Sequence, residues 1–356
     1  MDRLLRINEF SEMSVNALVA RIDTFADQWE DRADLDPEQL TQLRELATVQ
    51  SIGSSTRIEG SKLQDEEITA LLENMTITEL RSRDEQEVMG YYDTLQIILE
   101  NYEHIPLTTS TIQGLHKQLL QHSDKDEHHR GKYKTLSNQV VASMPDGGQR
   151  TIFQTSSPME TPAAMEAAVE WYDRQLTEGT HAPLVVIGTF VYEFLTIHPF
   201  QDGNGRLSRL LTTLLLLQND YEFIQYSSLE QEVEAYKSEY YKALMRAQRH
   251  RGKKEETIGS WLVFLLKAIE RTTKKLERDQ QYLTEEPAML YLNRRQRSVM
   301  NYFGRKEELS IGDINRLLPD ESRNTLKYDL ARLTEAGLLR RFGRGRGTVY
   351  RRSSKG

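Results

Sequence analysis

Cysteine is absent from all 356 residues, so neither a disulfide nor a thiolate zinc site can be built. A reducing compartment is consistent with that absence. Long apolar runs are missing too. The greasiest, LVVIGTFVYEFLTI, spans 14 residues from Leu184 to Ile197 and carries Glu193. A bilayer span needs about 20 apolar residues, so this run reads as a buried core helix. The opening MDRLLRINEF shows no apolar stretch and no small-residue cleavage site. A cytoplasmic protein without membrane contact is expected. No internal repeat and no low-complexity tract occurs.

What is present describes a well-solvated protein with sizeable cores: 38% hydrophobic and 28% charged residues. Its length implies two or three domains. The net charge of −8 is unevenly spread, because from Asn293 onwards 16 Lys and Arg face 7 Asp and Glu. That segment is +9 and the remainder −17. An acidic body with a basic tail suggests two partners of different kinds.

Helical spacing of apolar residues dominates, so the class is mainly α. One helical block is expected from about Ser14 to Tyr102, interrupted near Asp34 to Pro37 and around Gly60. Another opens after Pro106, where LTTSTIQGLHKQLLQ has a Thr-rich start suited to capping. Between Arg130 and Pro162 the pattern turns β-prone: GKYKTLSNQVVAS, the turn PDGGQ, then RTIFQ predict a short hairpin. METPAAMEAAVEWYDRQL resumes a helix, and EETIGSWLVFLLKAIERTTKKLERDQQYL links body to tail. The expected partition is a helical region over 1–105, a core over 106–275, a linker helix over 276–292 and a tail domain over 293–356.

The chemistry concentrates in IHPFQDGNGRLSRLL, Ile197 to Leu211. Asp202, Gly203, Asn204 and Gly205 form turns, and the leucines that follow share a helical face. A Gly-rich loop feeding a helix N-terminus offers free backbone N–H groups to an anion. Arg206 and Arg209, three apart, suit several phosphates better than one carboxylate. Asp202 reads as a Mg²⁺ ligand for such a polyphosphate, and His198 as the only group nearby able to take a proton near pH 7. No lysine follows the glycines, so the GxxxxGK[ST] phosphate loop is excluded.

HPFQDGNGRLSR resembles the HPFxDGNGRxxR signature of the Fic (filamentation induced by cyclic AMP) family at every fixed position. The resemblance implies a Fic-type helical bundle with a β-hairpin flap, and transfer of AMP from ATP to a Ser, Thr or Tyr hydroxyl. It makes His198 the general base, Asp202 the Mg²⁺ ligand, and Gly203, Asn204, Gly205 and Arg206 the anion nest. It sets Arg209 on the γ-phosphate and Phe200 in a packing role. The hairpin is similar to the family's flap, where a target protein docks by strand addition; here the flap centres on Gln139, Val140, Val141 and Ala142. AYKSEYYKALMRAQ sets Tyr240, Tyr241 and Gln248 where family members contact adenine and ribose.

Upstream, SSTRIEG contains Ser55, Glu59 and Gly60 in the pattern [ST]xxxE[GN]. This resembles the inhibitory helix of autoinhibited Fic proteins. Ser55 and Glu59 lie one helical turn apart, and the resemblance implies a Glu59–Arg209 salt bridge that blocks the γ-phosphate site. In the tail, RRQRSVMNYF, LSIGDINRLL with Ser310 as cap, and SRNTLKYDLARLTEAGLL read as three helices. RRFGRGRGTVYRR follows as a two-stranded wing. The set resembles a winged helix-turn-helix domain, with Arg323, Asn324, Lys327 and Arg344 as candidate DNA contacts.

The leading expectation is a self-inhibited protein adenylyltransferase using ATP and Mg²⁺. Two alternatives stand beside it: a DNA-binding regulator with the Fic core as a sensing module, and removal of AMP with Glu59 positioning a water. Transfer of other groups from other nucleotides is also open. A target protein, DNA and a second copy of the chain are the candidate partners.

Overall fold

The computed structural model describes residues 1–5, 9–30, 36–73, 80, 82–143, 149–285, 289, 292–303, 306–343 and 345–353. The chain divides into two compact units, Met1–Leu276 and Glu277–Gly356.

The first unit is helical. Helices α1 (Glu9–Glu30), α2 (Pro37–Glu59), α3 (Asp65–Glu73) and α4 (Arg83–Asn101) form its N-terminal part. Proline opens α2 at its first turn, the Asp36 carboxylate accepts from Glu38 N–H, and Gly60 ends it in the left-handed region at φ 113°. Ser82 and Glu85 cap α4 reciprocally. Helix α5 (Thr109–Leu119) starts on Thr108, whose hydroxyl accepts from Thr111 N–H.

A hairpin of β1 (Gln139–Ser143) and β2 (Gln149–Gln154) follows. Val140 pairs with Phe153 and Val141 with Thr151, which leaves Ile152 as a bulge. The turn expected at PDGGQ falls largely outside the described residues. The strand begins later than the alternating pattern suggested, because Lys134 and Asn138 are bonded to the chain near His198 rather than to a partner strand.

Helices α6 (Thr161–Glu178), α7 (Pro183–Ile197) and α8 (Asn204–Leu217) make the centre. Every residue of α7 from Leu184 to Ile197 is buried, which accounts for the greasy run without any bilayer. No described helix is long and apolar enough to cross a membrane. Helix α7 packs between α6 and α8, and α8 also meets α2 and α4. Short helices α9 (Leu229–Ala235) and α10 (Lys237–Gln248) lead to the long α11 (Gly259–Glu285). Trp261 on α11 donates its indole N–H to Gly188 O at 2.8 Å. A β-carbon on Gly188 would come within 2.7 Å of Leu262. Glycine is what lets α7 and α11 approach.

In the second unit, α12 (Arg294–Phe303), β3 (Glu308–Ser310), α13 (Ile311–Leu317), α14 (Arg323–Glu335), β4 (Leu339–Phe342) and β5 (Val349–Arg352) follow in order. Ser310 caps α13 with Asp313, as its position before the apolar run suggested. The sheet order is β3–β5–β4, all antiparallel, so one strand joins the two expected. Val299, Phe303, Leu309, Ile314, Leu326 and Leu330 share its core. Met289 and Leu292 belong to that core as well.

Candidate active site

The site is built where α7 stops. His198 caps that helix at φ 53°, ψ 60°, a left-handed conformation uncommon outside glycine, and its N–H closes on Phe194 O at 2.9 Å. The chain then turns back under tight control. The Asn204 amide accepts from Phe200 N–H at 2.9 Å and donates to Phe200 O at 2.7 Å. Phe200 is fully buried and stacks on the His116 ring, centroids 3.7 Å apart. His116, on α5, is equally buried. Its Nδ1 accepts from Gly131 N–H at 2.9 Å, so the ring proton sits on Nε2, which donates to Asp202 O at 3.0 Å.

Burial pushes His116 down to about 4 from 6.5, so it is neutral at physiological pH. The sign of the consequence follows from linkage. Between those two values the unfolded chain binds the proton and the folded one does not, so stability is complete above about pH 6.5 and falls as pH drops towards 4. His116→Gln, which keeps a donor and an acceptor but cannot titrate, is expected to flatten that part of a stability-against-pH curve. Urea unfolding at several pH values checks this; an unchanged slope would assign the acid sensitivity elsewhere.

His198 Nδ1 lies 3.2 Å from Leu195 O, which can only accept. The proton therefore belongs on Nδ1, and Nε2 keeps its lone pair. Burial pushes this imidazole down to about 4, against the Leu195 carbonyl, and the Lys134 charge adds to the depression. A neutral ring with an open lone pair is what a general base requires.

Beside it, α8 begins at Asn204 with Gly203 as N-cap at φ 78°, and no side chain caps it. The first-turn N–H groups are thus directed out as an anion seat. A carboxylate already stands against this helix start. Glu59 Oε1 lies 2.8 Å from Arg209 Nη2, and a β-carbon on Gly205 would lie only 2.3 Å from the same oxygen. Arg209 also donates from Nε to Ser55 Oγ at 2.7 Å and from Nη2 to Ser55 O at 3.0 Å. Burial raises the Glu59 pKa, but the Arg209 charge and hydrogen bond outweigh it and hold the carboxyl below its ordinary value. Gly60 ends the helix directly behind it. Ser55, Glu59 and Arg209 therefore meet as their spacing and resemblance implied.

Asp202 has a partly exposed side chain whose Oδ1 accepts from Gly203 N–H at 2.6 Å. Arg206 approaches Oδ1 at 3.3 Å, and Arg83 and Lys125 approach Oδ2 at 3.6 Å each. The buried Arg206 guanidinium also faces Glu87 at 3.3 Å, so an anion at the seat would meet mainly its backbone N–H. Among the described residues no group of three or more acidic, His or Cys side chains could hold a metal unaided. One carboxylate beside an anion seat does fit magnesium, which binds through one or two carboxylates and keeps waters and phosphate oxygens.

A cleft of about 240 Å³ opens over these groups, lined among others by Glu59, Gln139, His198, Asp202, Tyr240 and Tyr241. The two tyrosine rings meet edge to face, centroids 5.1 Å apart. Gln248 is not among the lining residues; its amide donates to Thr196 Oγ at 2.5 Å. It lies seven positions after Tyr241, about 10 Å farther along the helix axis. The backbones of Val140 and Val141 lie in β1, while their side chains are outside the described set, as is Arg344. Residues missed in the sequence include His116, Glu87 and Lys134. His116 sits within the apolar spacing of α5 and carried no motif.

A helix end, an imidazole-bearing loop, an uncapped helix start and an adjoining hairpin thus meet at one cleft of this helical unit. Residues 106–216 match the family model described as Fic/DOC family. The chain is similar to "Protein adenylyltransferase Fic" of Drosophila willistoni, 27% identical over 184 residues, covering 51% of this chain and 34% of that protein. The Drosophila melanogaster protein of the same name is 28% identical over 184 residues, covering 51% of this chain and 35% of its own. The chain thus spans about a third of the curated relatives' length. Among solved structures, a Fic family protein from Desulfovibrio desulfuricans shares the fold at a TM-score of 0.61 and 22% identity, covering 96% of this chain and 97% of that one. A Fic domain containing signaling protein from Bacteroides thetaiotaomicron has a TM-score of 0.57 and 25% identity, covering 72% of this chain and 97% of its own.

Proposed function

We propose that the cleft transfers AMP from ATP to a hydroxyl side chain of a target protein or of the chain itself, and that Glu59 holds this activity off. One observation carries the reading: a carboxylate, held by Arg209, is seated against Gly205 at the uncapped start of α8, beside a neutral imidazole. A helix start with uncapped N–H groups and a guanidinium that already holds an internal anion beside it has the donors for a phosphate tail.

In this reading His198 Nε2 takes the proton of the attacking hydroxyl, whose oxygen bonds to the α-phosphorus as pyrophosphate leaves. Asp202 holds Mg²⁺, which supplies charge neutralisation when bound. The N–H groups of residues 204–206 and the freed Arg209 grip the phosphates. Tyr240 and Tyr241 line the wall available to the nucleoside, and the hairpin offers an edge to the target backbone. ATP labelled at the α-phosphate, incubated with the purified chain and magnesium, tests the reaction; mass spectrometry of the product identifies the group transferred. Label that fails to reach protein even with the carboxylate removed would refute it.

A second reading concerns the C-terminal unit. Arg323, Asn324 and Lys327 are all exposed along the first half of α14, with Tyr328 at 60% exposure beside them. We read this unit as a winged helix whose α14 binds duplex DNA. Arg323→Ala with Lys327→Ala is expected to weaken retention on duplex DNA and to reduce the salt slope by about one per lost phosphate contact. Retention that ignores both salt and these changes would assign the domain to protein contacts.

A further inference from the structure

Lys134 is 3% exposed, and among the described residues no carboxylate pairs with it. A buried ammonium without a counter-ion is costly, so its surroundings must satisfy it by other means. They do so completely. An ammonium has three donors, and Nζ reaches three acceptors: Ile197 O at 2.9 Å, Asn138 Oδ1 at 2.9 Å and Thr155 Oγ at 3.0 Å. Desolvation alone pushes Lys134 down to about 8, which leaves it largely charged at neutral pH.

The three acceptors are not a random set. Asn138 immediately precedes β1 and Thr155 immediately follows β2, so they are the two feet of the hairpin. Ile197 is the last residue of α7, directly before His198. The feet are also bonded to each other, with Thr155 Oγ donating to Asn138 O at 2.9 Å. The Asn138 amide donates onward to Phe200 O at 2.8 Å and to His198 O at 3.3 Å. Lys134 N–H donates to Pro199 O at 2.8 Å. Four successive carbonyls, from Ile197 to Phe200, are thus engaged by Lys134 or by the foot it holds.

We propose that Lys134 is a positioning residue that fixes the hairpin relative to His198, so that a hydroxyl brought by the hairpin edge arrives in line with the imidazole. The proposal rests on the reading of the cleft as an AMP-transfer site. The geometry demands a charged three-donor group: an apolar side chain would leave Ile197 O and both feet without their shared partner, and only the direct foot-to-foot bond and the Asn138 amide would still tie the hairpin to the loop.

The test uses the full chain with Glu59→Gly as parent, and Lys134→Met and Thr155→Val on that background. Thr155→Val removes one acceptor of Lys134 together with the donor to Asn138 O, with little change of shape, and guards against a Lys134 variant that fails to fold. Three measurements are made: amide hydrogen exchange, self-labelling from Mg-ATP and equilibrium ATP binding. Exchange in 139–143 and 149–154 is expected to rise about tenfold while α7 and α8 keep their protection. Labelling is expected to drop up to roughly a hundredfold, as for misplaced reactants, with ATP affinity held. Thr155→Ser, which keeps the hydroxyl, should behave as the parent. Unchanged hairpin exchange, or unchanged labelling, overturns the proposal. So does exchange rising equally through α7 and α8, which would mean general loosening. A parent that binds no ATP and labels nothing defeats the reading of the cleft instead, and the exchange data still report on the anchor.

Discussion

Glu59→Gly is expected to raise self-labelling from Mg-ATP by two to three orders of magnitude. The estimate has two parts. A carboxylate about 4 Å from a phosphate oxygen costs about 4 kcal/mol at an effective dielectric constant near 20, and that repulsion disappears. The Arg209 Nη2 donor engaged by Glu59 at 2.8 Å becomes available to the phosphates, and one such donor in a transition state is worth about a hundredfold or more. The two gains overlap, so they do not multiply in full. Glycine also frees Gly205 from its close contact with the carboxylate. Measured initial rates of α-phosphate incorporation decide the matter. Equal rates in Glu59→Gly and the parent would mean that the seated carboxylate is not an obstacle, and the inhibitory role would fall.

His198→Ala, made on the Glu59→Gly background, should remove between about a hundred and ten thousandfold of the transfer rate, the usual worth of a positioned general base. Binding should be spared. The ring contributes to one wall of the cleft, while the seat proposed for the phosphates consists of α8 backbone and Arg209, which the substitution does not touch. Alanine keeps a β-carbon, so at φ 53° it gains none of the relief that glycine would bring. The expected pattern is therefore intact ATP affinity and intact folding with lost transfer. A variant that labels itself at the parent rate would move the proton to another group; a variant that no longer binds ATP would make His198 a binding residue.

Much of this centre could be read from one dimension. The loop motif fits on 12 contiguous residues, His198 to Arg209, and its partners Ser55 and Glu59 obey helical spacing on α2. The burial of α7 followed from its apolar run. The parts that escaped depend on contacts between distant segments. His116 reaches Asp202 across 86 positions and Lys134 reaches Ile197 across 63, and neither carries a local signature. Strand β3 is three residues long, too short for alternation to register, and exists because β5 offers it an edge. Gln248 shares α10 with Tyr240 and Tyr241, but it stands about two turns past Tyr241 and does not line the cleft. The hairpin was visible from its alternation, while its starting point was decided by the bonds of Lys134 and Asn138.

His198 stands in a backbone basin that an L-amino acid enters at a cost of roughly 1–2 kcal/mol and that glycine enters freely. Thermal endurance and chemistry consequently pull this position in opposite directions. A library screened for heat resistance alone would tend to replace the imidazole with hydrogen and recover silent, sturdier proteins.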